Sequence, residues 1–315
     1  MEDKWSRSPY FRIEEVRAGV FAAIATPGMG AWSNSGIVDL GGVTLVVDSC
    51  ASPGAASDLL SAAVTLTGRS PSYVVLTHGH WDHILGAEVF ARAHIIATES
   101  TRATMLDSEV SLRREDLDSG FAQHLRELRE QQERQTDQRI VQALDIEILE
   151  NQELLKNLKA ARLHHPEVTF AERLLLHGSQ RSVEVLCYGG GHSGGDAFVY
   201  LPSDSVAFMG DLVASRRHAW VGSGSISAWY SILERFSRLD TDTIVPGHGN
   251  VTRGQAVAET MQYLLKVQEA ASVCMQRGDN PMEFAKSIPA PFKGWGSGHV
   301  YEWNISHLTS VAHGA

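Results

Sequence analysis

The sequence predicts an α/β (α+β) chain, and three observations predict it. Short apolar runs bounded by Gly, Pro, Ser or Asp recur in both halves, a helical segment links two runs of the first half, and a long stretch of helix-forming residues separates the halves. Residues 20–24, 36–38 and 43–47 read as adjacent strands. Pro53 and Gly54 open an alanine- and leucine-rich helix to about Thr67, and residues 73–76 form the next strand.

No proline lies between Pro71 and Pro166, and no glycine between Gly120 and Gly178. Arg, Glu, Gln and Leu dominate there, so about 101–165 reads as two or three helices inserted between sheet halves. Ile140, Leu144 and Ile148 recur at four-residue spacing, and Leu154, Leu155 and Leu158 continue the apolar stripe. Strand character returns at 183–187, 197–201, 206–209 and 243–245. A helix is expected from Gly254 to about Arg277, then a mixed tail. We expect one domain over 1–315, with the insert at about 101–165 and a helical C-terminal region at about 254–315.

With 315 residues, 43% of them apolar, the chain can bury a large core. A formal charge of -10 and a pI near 5.8 supply no broad basic field, which argues against nucleic acid or anionic membrane as partner. Cys50, Cys187 and Cys274 form no CxxC pair, which disfavours a disulfide framework or a thiolate zinc site. Residues 1–10 carry charges and Pro9 rather than the apolar core of a secretory signal, and no apolar run is long enough to span a bilayer. A cytoplasmic location is the expectation.

The densest chemistry lies in Thr77-His78-Gly79-His80-Trp81-Asp82-His83, where His78, His80, Asp82 and His83 read as HxHxDH just past an apolar strand. Imidazole nitrogens and a carboxylate suit zinc or a similar divalent ion, and two ions are the natural reading. Three more candidates each follow a later strand: His192 in Gly190-Gly191-His192-Ser193-Gly194-Gly195-Asp196, Asp211 in Met209-Gly210-Asp211, and His248 in Pro246-Gly247-His248-Gly249. Strand ends of one sheet share an edge, so these residues are expected to converge there. Isolated histidines such as His94, His124, His164, His165, His177 and His313 are read as surface or core residues instead.

HxHxDH, GHSGGD, GD and PGHG, in that order, resemble the metallo-β-lactamase superfamily of dinuclear metal hydrolases over about residues 11–254 outside the insert. The resemblance implies a four-layer αββα sandwich. It implies a first ion on His78, His80 and His192, a second on Asp82, His83 and His248, and Asp211 bridging them. Zn2+ is the expected metal, with Mn2+ or Fe2+ as alternatives. The implied chemistry is attack of a hydroxide shared by the ions on an acyl carbon, with Asp82 orienting the nucleophile or shuttling a proton to the leaving group.

Asp211 stands where the thiolate-bearing β-lactamases place a cysteine, which points to the glyoxalase II and lactonase branches. The weak positive charge of the tail, Lys286 and Lys293, argues against a glutathione thioester. Flavodiiron relatives carry glutamate in place of His80. The expected reaction is hydrolysis of a small-molecule ester, lactone or thioester. β-Lactamase or phosphodiesterase activity at the same site is the alternative, as is a non-catalytic binding or regulatory protein.

Asp48, Asp196 and Thr77 are candidates to orient ligands, with turn capping the other role for the two aspartates. In Ser215-Arg216-Arg217-His218-Ala219-Trp220 an arginine is suited to an anionic substrate group and Trp220 to an apolar one. Trp81 is placed beneath the metals or against the substrate. Trp295, Tyr301 and Trp303 read first as core aromatics. The insert is either a lid or a homodimer interface, and packing on the parent domain combined with a homodimer is the expectation.

Overall fold

A computed structural model describes residues 8–112, 117–136, 138–160 and 162–313. Its first sheet follows chain order: β1 (Phe11–Arg17), β2 (Val20–Ala25), β3 (Ser35–Asp39), β4 (Thr44–Val47), β5 (Tyr73–Val75), β6 (His94–Thr98) and β7 (Val168–Phe170). Pairing is antiparallel from β1 to β4 and parallel from β4 to β7. The second sheet runs in reverse, from β8 (Arg173–His177) through β9 (Ser182–Cys187), β10 (Ala197–Leu201) and β11 (Val206–Phe208) to β12 (Thr243–Val245), with only β11 and β12 parallel.

The period-two alternation of strands builds the layers. Val20, Ala22 and Ile24 face an inter-sheet core with Val47, Val75, Val185, Val199 and Phe208, while Phe21 and Ala23 point the other way. That outer face is covered by α1 (Pro53–Thr67), through Ala55, Leu59 and Ala62. Its sequence sets both ends: Ser52 Oγ accepts from Ala55 N, Pro53 opens the first turn, and Gly68 closes it at φ 75°. A single turn, α2 (Trp81–Ile84), follows β5.

Between β6 and β7 stand α3 (Glu99–Leu112), α4 (Leu117–Glu133) and α5 (Gln138–Ala160). The expected stripe holds in part. Leu144 and Ile148 pack on Leu125 and Leu128 of α4, and Leu154 and Leu158 dock on Leu85 and Trp81. Ile140 departs from it: it is 42% exposed and stands outside the cluster of Leu125, Leu128, Leu144 and Ile148. Past β11, α6 (Ile226–Phe236) and α7 (Gln255–Arg277) cover the second sheet, with Trp229, Phe236, Tyr263 and Leu264 against Phe198, Ala207 and Ile244. The order helix, sheet, sheet, helix is the expected αββα sandwich. The tail ends in α8 (Pro281–Ala285) and α9 (Gly298–His313), packed on each other and on α7. No described helix is long and apolar enough to cross a membrane.

Candidate metal centre

The chain leaves β5 at the carboxyl edge of the parallel strands. Its backbone is extended at His80 and helical from Trp81, so the motif divides between His80 and Asp82 into two sets of side chains. His192 arrives from the β9–β10 loop, Asp211 from the 3-10 turn after β11, and His248 from the segment after β12. Main-chain contacts fix that last segment: Asn34 Nδ2 donates to the carbonyls of Pro246 and Gly249, both at 2.8 Å.

All seven sequence candidates meet at this edge. His78 Nε2 lies 3.0 Å and His192 Nε2 2.9 Å from His80 Nδ1, and Asp211 Oδ2 lies 3.4 Å from His192 Nε2. On the other side His83 Nε2 is 3.4 Å from Asp82 Oδ2 and 3.2 Å from Asp211 Oδ1, and His248 Nε2 is 3.2 and 3.3 Å from the same two oxygens. Asp211 thus turns one oxygen to each group. Within each group the donor atoms lie within 4.8 Å of one another. Ligands about 2.0–2.1 Å from a tetrahedral zinc stand about 3.3 Å apart, so the spacing suits such an ion.

The hydrogen bonds behind the rings decide which nitrogens face inward. Thr77 Oγ1 donates its one proton to Asp48 Oδ2, so at 3.1 Å it accepts from His78 Nδ1. Ser223 Oγ donates to the His192 carbonyl, so it accepts from His80 Nε2 at 3.0 Å. His192 Nδ1 donates to the Trp220 carbonyl at 3.0 Å. His78 Nε2, His80 Nδ1 and His192 Nε2 therefore present three lone pairs to one point, a repulsive arrangement unless a cation occupies it.

Charge leads to the same conclusion at the second group. Burial and the neighbouring imidazoles hold His78 well below the usual histidine range, and burial next to His192 lowers His80 to about 4. Burial would depress His83 and His248, yet Asp82 and Asp211 raise both, His248 to about 9. Against the same penalty, His83 and His248 keep Asp82 and Asp211 well below the carboxylate range. Two carboxylates are held ionised there by adjacent positive charge, which a divalent ion supplies in place of protons. His83 Nε2 and Asp211 Oδ1 are buried without a hydrogen-bond partner. The residues present fit a pair of divalent ions.

Asp48 is the orienting residue the sequence suggested: its Oδ2 accepts from His83 Nδ1 at 2.8 Å. Asp196 takes the other role, accepting from Gly191 N at 2.7 Å and from Ser193 N at 3.0 Å, and so shapes the turn that carries His192 without touching an imidazole. The Trp220 carbonyl and the Ser223 hydroxyl were not legible in the sequence, because they reach the ligands only through folding. Gly247 has a steric reason, since a Cβ there would stand 2.0 Å from Asp211 Oδ1.

A cavity of about 1330 Å³ opens over this edge. One wall holds His80, Asp82, His192, Asp211 and His248; the others come from α5, the 214–220 loop and the tail. Arg217, His218, Trp220, Trp295 and Trp303 line it, whereas Arg216 is exposed with φ 52° and does not. Trp81 packs on Leu154 and Leu158 beneath the edge, and Tyr301 is buried in the core. His124 lies tilted against Trp303, His164 pairs with Glu88 and Glu167, and His165 with Glu109. The side chain of His313 lies outside the described residues.

Among solved structures, a metallo-beta-lactamase from Pontibacter korlensis aligns at 18% identity over 81% of this chain and 99% of its own, with a TM-score of 0.58. TMB-1 aligns at 17% identity over 82% and 99%, also with a TM-score of 0.58. DIM-1 metallo-beta-lactamase, solved after exposure to ceftazidime, aligns at 18% over 82% and 98%, TM-score 0.58. At such identities the likeness is one of fold. No curated protein matches the chain. The sequence model of the metallo-beta-lactamase superfamily matches residues 33–248, the span from the Ser33 loop to the last candidate ligand, and the chain belongs to that superfamily.

Proposed function

We propose that the protein is a dizinc hydrolase that cleaves a small-molecule ester, lactone or thioester, within the glyoxalase II and lactonase-like part of its superfamily. The superfamily and the His/Asp cluster support metal-dependent hydrolysis in general. The observation that carries the finer reading is the donor set itself: three inward lone pairs on one side, two carboxylates and two imidazoles on the other, and Asp211 facing both.

When bound, two divalent ions supply Lewis acidity and water activated near neutral pH. The chain's residues do the rest. Asp82, held ionised at the cavity wall, orients the attacking water. Trp220 and Trp303 offer an aromatic wall to the acyl group, and Arg217, tied by Nη2 to Ser297 Oγ at 2.9 Å, keeps further donors for a polar substituent. The absence of a thiolate among the donors sets the site apart from that of the thiolate-bearing β-lactamases. Leu149 on α5, 50% exposed and outside the cavity lining, suits the homodimer expected of the insert.

The test is metal analysis of the purified protein together with rates on acyl, lactam and phosphodiester probes. About two ions per chain with acyl cleavage lost on chelation and restored by zinc is the expected result. Well below one ion per chain, with no probe turned over after zinc, manganese or iron, overturns the proposal.

A further inference from the structure

Helix α5 carries two buried carboxyl groups into the cavity, and only Glu147 has a direct ion pair among the described residues. Glu147 pairs with His299 of α9. Glu150, one turn further on, is 4% exposed; its Oε1 accepts the Gly28 N–H at 3.1 Å, and Oε2 has no hydrogen bond among the described residues. The other buried positions of this helix are Leu144, Ile148, Leu154 and Leu158, and Asn151, whose Nδ2 donates to the Glu147 carbonyl at 2.9 Å. A buried carboxyl is costly to keep ionised, and its place in the lining of the cavity that also holds Asp82 and His248 calls for a role there.

We propose that Glu150 is the proton donor to the leaving group of the hydrolysed substrate. As the acyl C–O or C–S bond breaks, its electron pair passes to the departing oxygen or sulfur, which takes the Glu150 proton. Glu150 is left as a carboxylate facing Arg217. The proton released by the attacking water re-protonates it through solvent, so one water is consumed and each product is complete. This rests on the hydrolase reading.

The surroundings suit such an acid. Burial raises the Glu150 carboxyl above the usual range, while Arg217, the Gly28 amide and His248 pull it down and Glu147 pushes it up. Arg217 steadies the carboxylate once the proton has left. Acid and base chemistry are thus divided between two carboxyl groups in different settings, Glu150 on the insert and Asp82 on the sheet edge.

The zinc-loaded protein and its Glu150→Gln variant are compared on two esters of one acyl group, an aryl ester whose leaving group departs unaided and an alkyl ester whose leaving group needs a proton. Glutamine keeps the shape and cannot act as acid. The expected result is a loss of about 10²-fold on the alkyl ester and under about threefold on the aryl ester, with unchanged metal content. The alkaline limb of the alkyl-ester profile disappears in E150Q. Independently of turnover, an infrared carboxylic-acid band should titrate above the ordinary glutamate range and vanish in E150Q. Equal losses on both esters, no loss on either, or a band titrating in or below the ordinary range overturns the proposal. If the loaded parent cleaves neither ester, the hydrolase reading fails and this inference with it.

Discussion

Asp48 Oδ2 accepts a hydrogen bond from His83 Nδ1 at 2.8 Å, both groups fully buried, and the same oxygen accepts from Thr77 Oγ1 at 2.9 Å. Because Thr77 in turn receives the Nδ1 proton of His78, one carboxylate fixes a histidine of each group. Asp48 sits at φ 59°, uncommon for a residue with a Cβ, and its side-chain and Val75 carbonyl bonds hold it there. Asp48→Ala is expected to weaken binding of both ions about 10–100-fold, with Asp48→Asn intermediate, read by competitive chelator titration. Affinity unchanged in D48A would remove Asp48 from this role.

Gly247→Ala places a methyl 2.0 Å from Asp211 Oδ1, 2.7 Å from the Gly210 carbonyl carbon and 2.9 Å from Asp211 N. Backbone on one side leaves the Asp211 carboxylate as the part that shifts. At least a tenfold loss of affinity is expected, greatest at the second ion, while circular dichroism keeps the native signal. Stoichiometry by atomic absorption checks it.

Adding metal should stabilise the fold. The lone pairs and carboxylates of the cluster repel one another without a cation, so an ion binds the folded chain far more tightly than the unfolded one. At a free concentration a thousandfold above Kd the gain is about 4 kcal/mol. Thermal melts of chelated protein, repeated with zinc, manganese and iron, measure it and rank the metals.

His218 predicts acid sensitivity away from the metals. Burial, and to a lesser degree His299, lowers it to about 4, against an ordinary histidine value of 6.5. The unfolded chain therefore binds a proton that the folded chain refuses, and stability falls as pH drops from about 6.5 towards 4, then levels off below. His218→Phe should remove this component, on the order of 3 kcal/mol over that window. Urea melts of both proteins at pH 7.5 and 5 test the sign: the variant should gain relative stability at the lower pH.

The convergence of the candidate donors was legible because each follows a strand that ends on the shared edge, so local pattern and topology agree for His78, His80, Asp82, His83, His192, Asp211 and His248. The strands with a clear apolar run were legible for the same reason. β8, with polar ends and half-exposed leucine, offers little such pattern. Glu150 lies in a helix of ordinary composition with no motif around it, and only the docking of α5 over the edge gives it a place. The Trp220 and Ser223 contacts use a main-chain carbonyl and a lone hydroxyl, groups every sequence contains. Ile140 misled because spacing marks one face of a helix but not which of its positions open onto a cavity.

The cavity has a divided origin: the donors stand on sheet edges, whereas Glu147, Glu150 and Leu144 stand on a hairpin spliced between neighbouring parallel strands. The candidate metal donors and the outer wall of the cavity are thereby carried by separate segments of the chain. A segment from another source, grafted between Glu99 and Pro166 with glutamate retained at 150 and leucines at 154 and 158 to seat on Leu85, is expected to change which probes are cleaved while leaving metal stoichiometry unchanged.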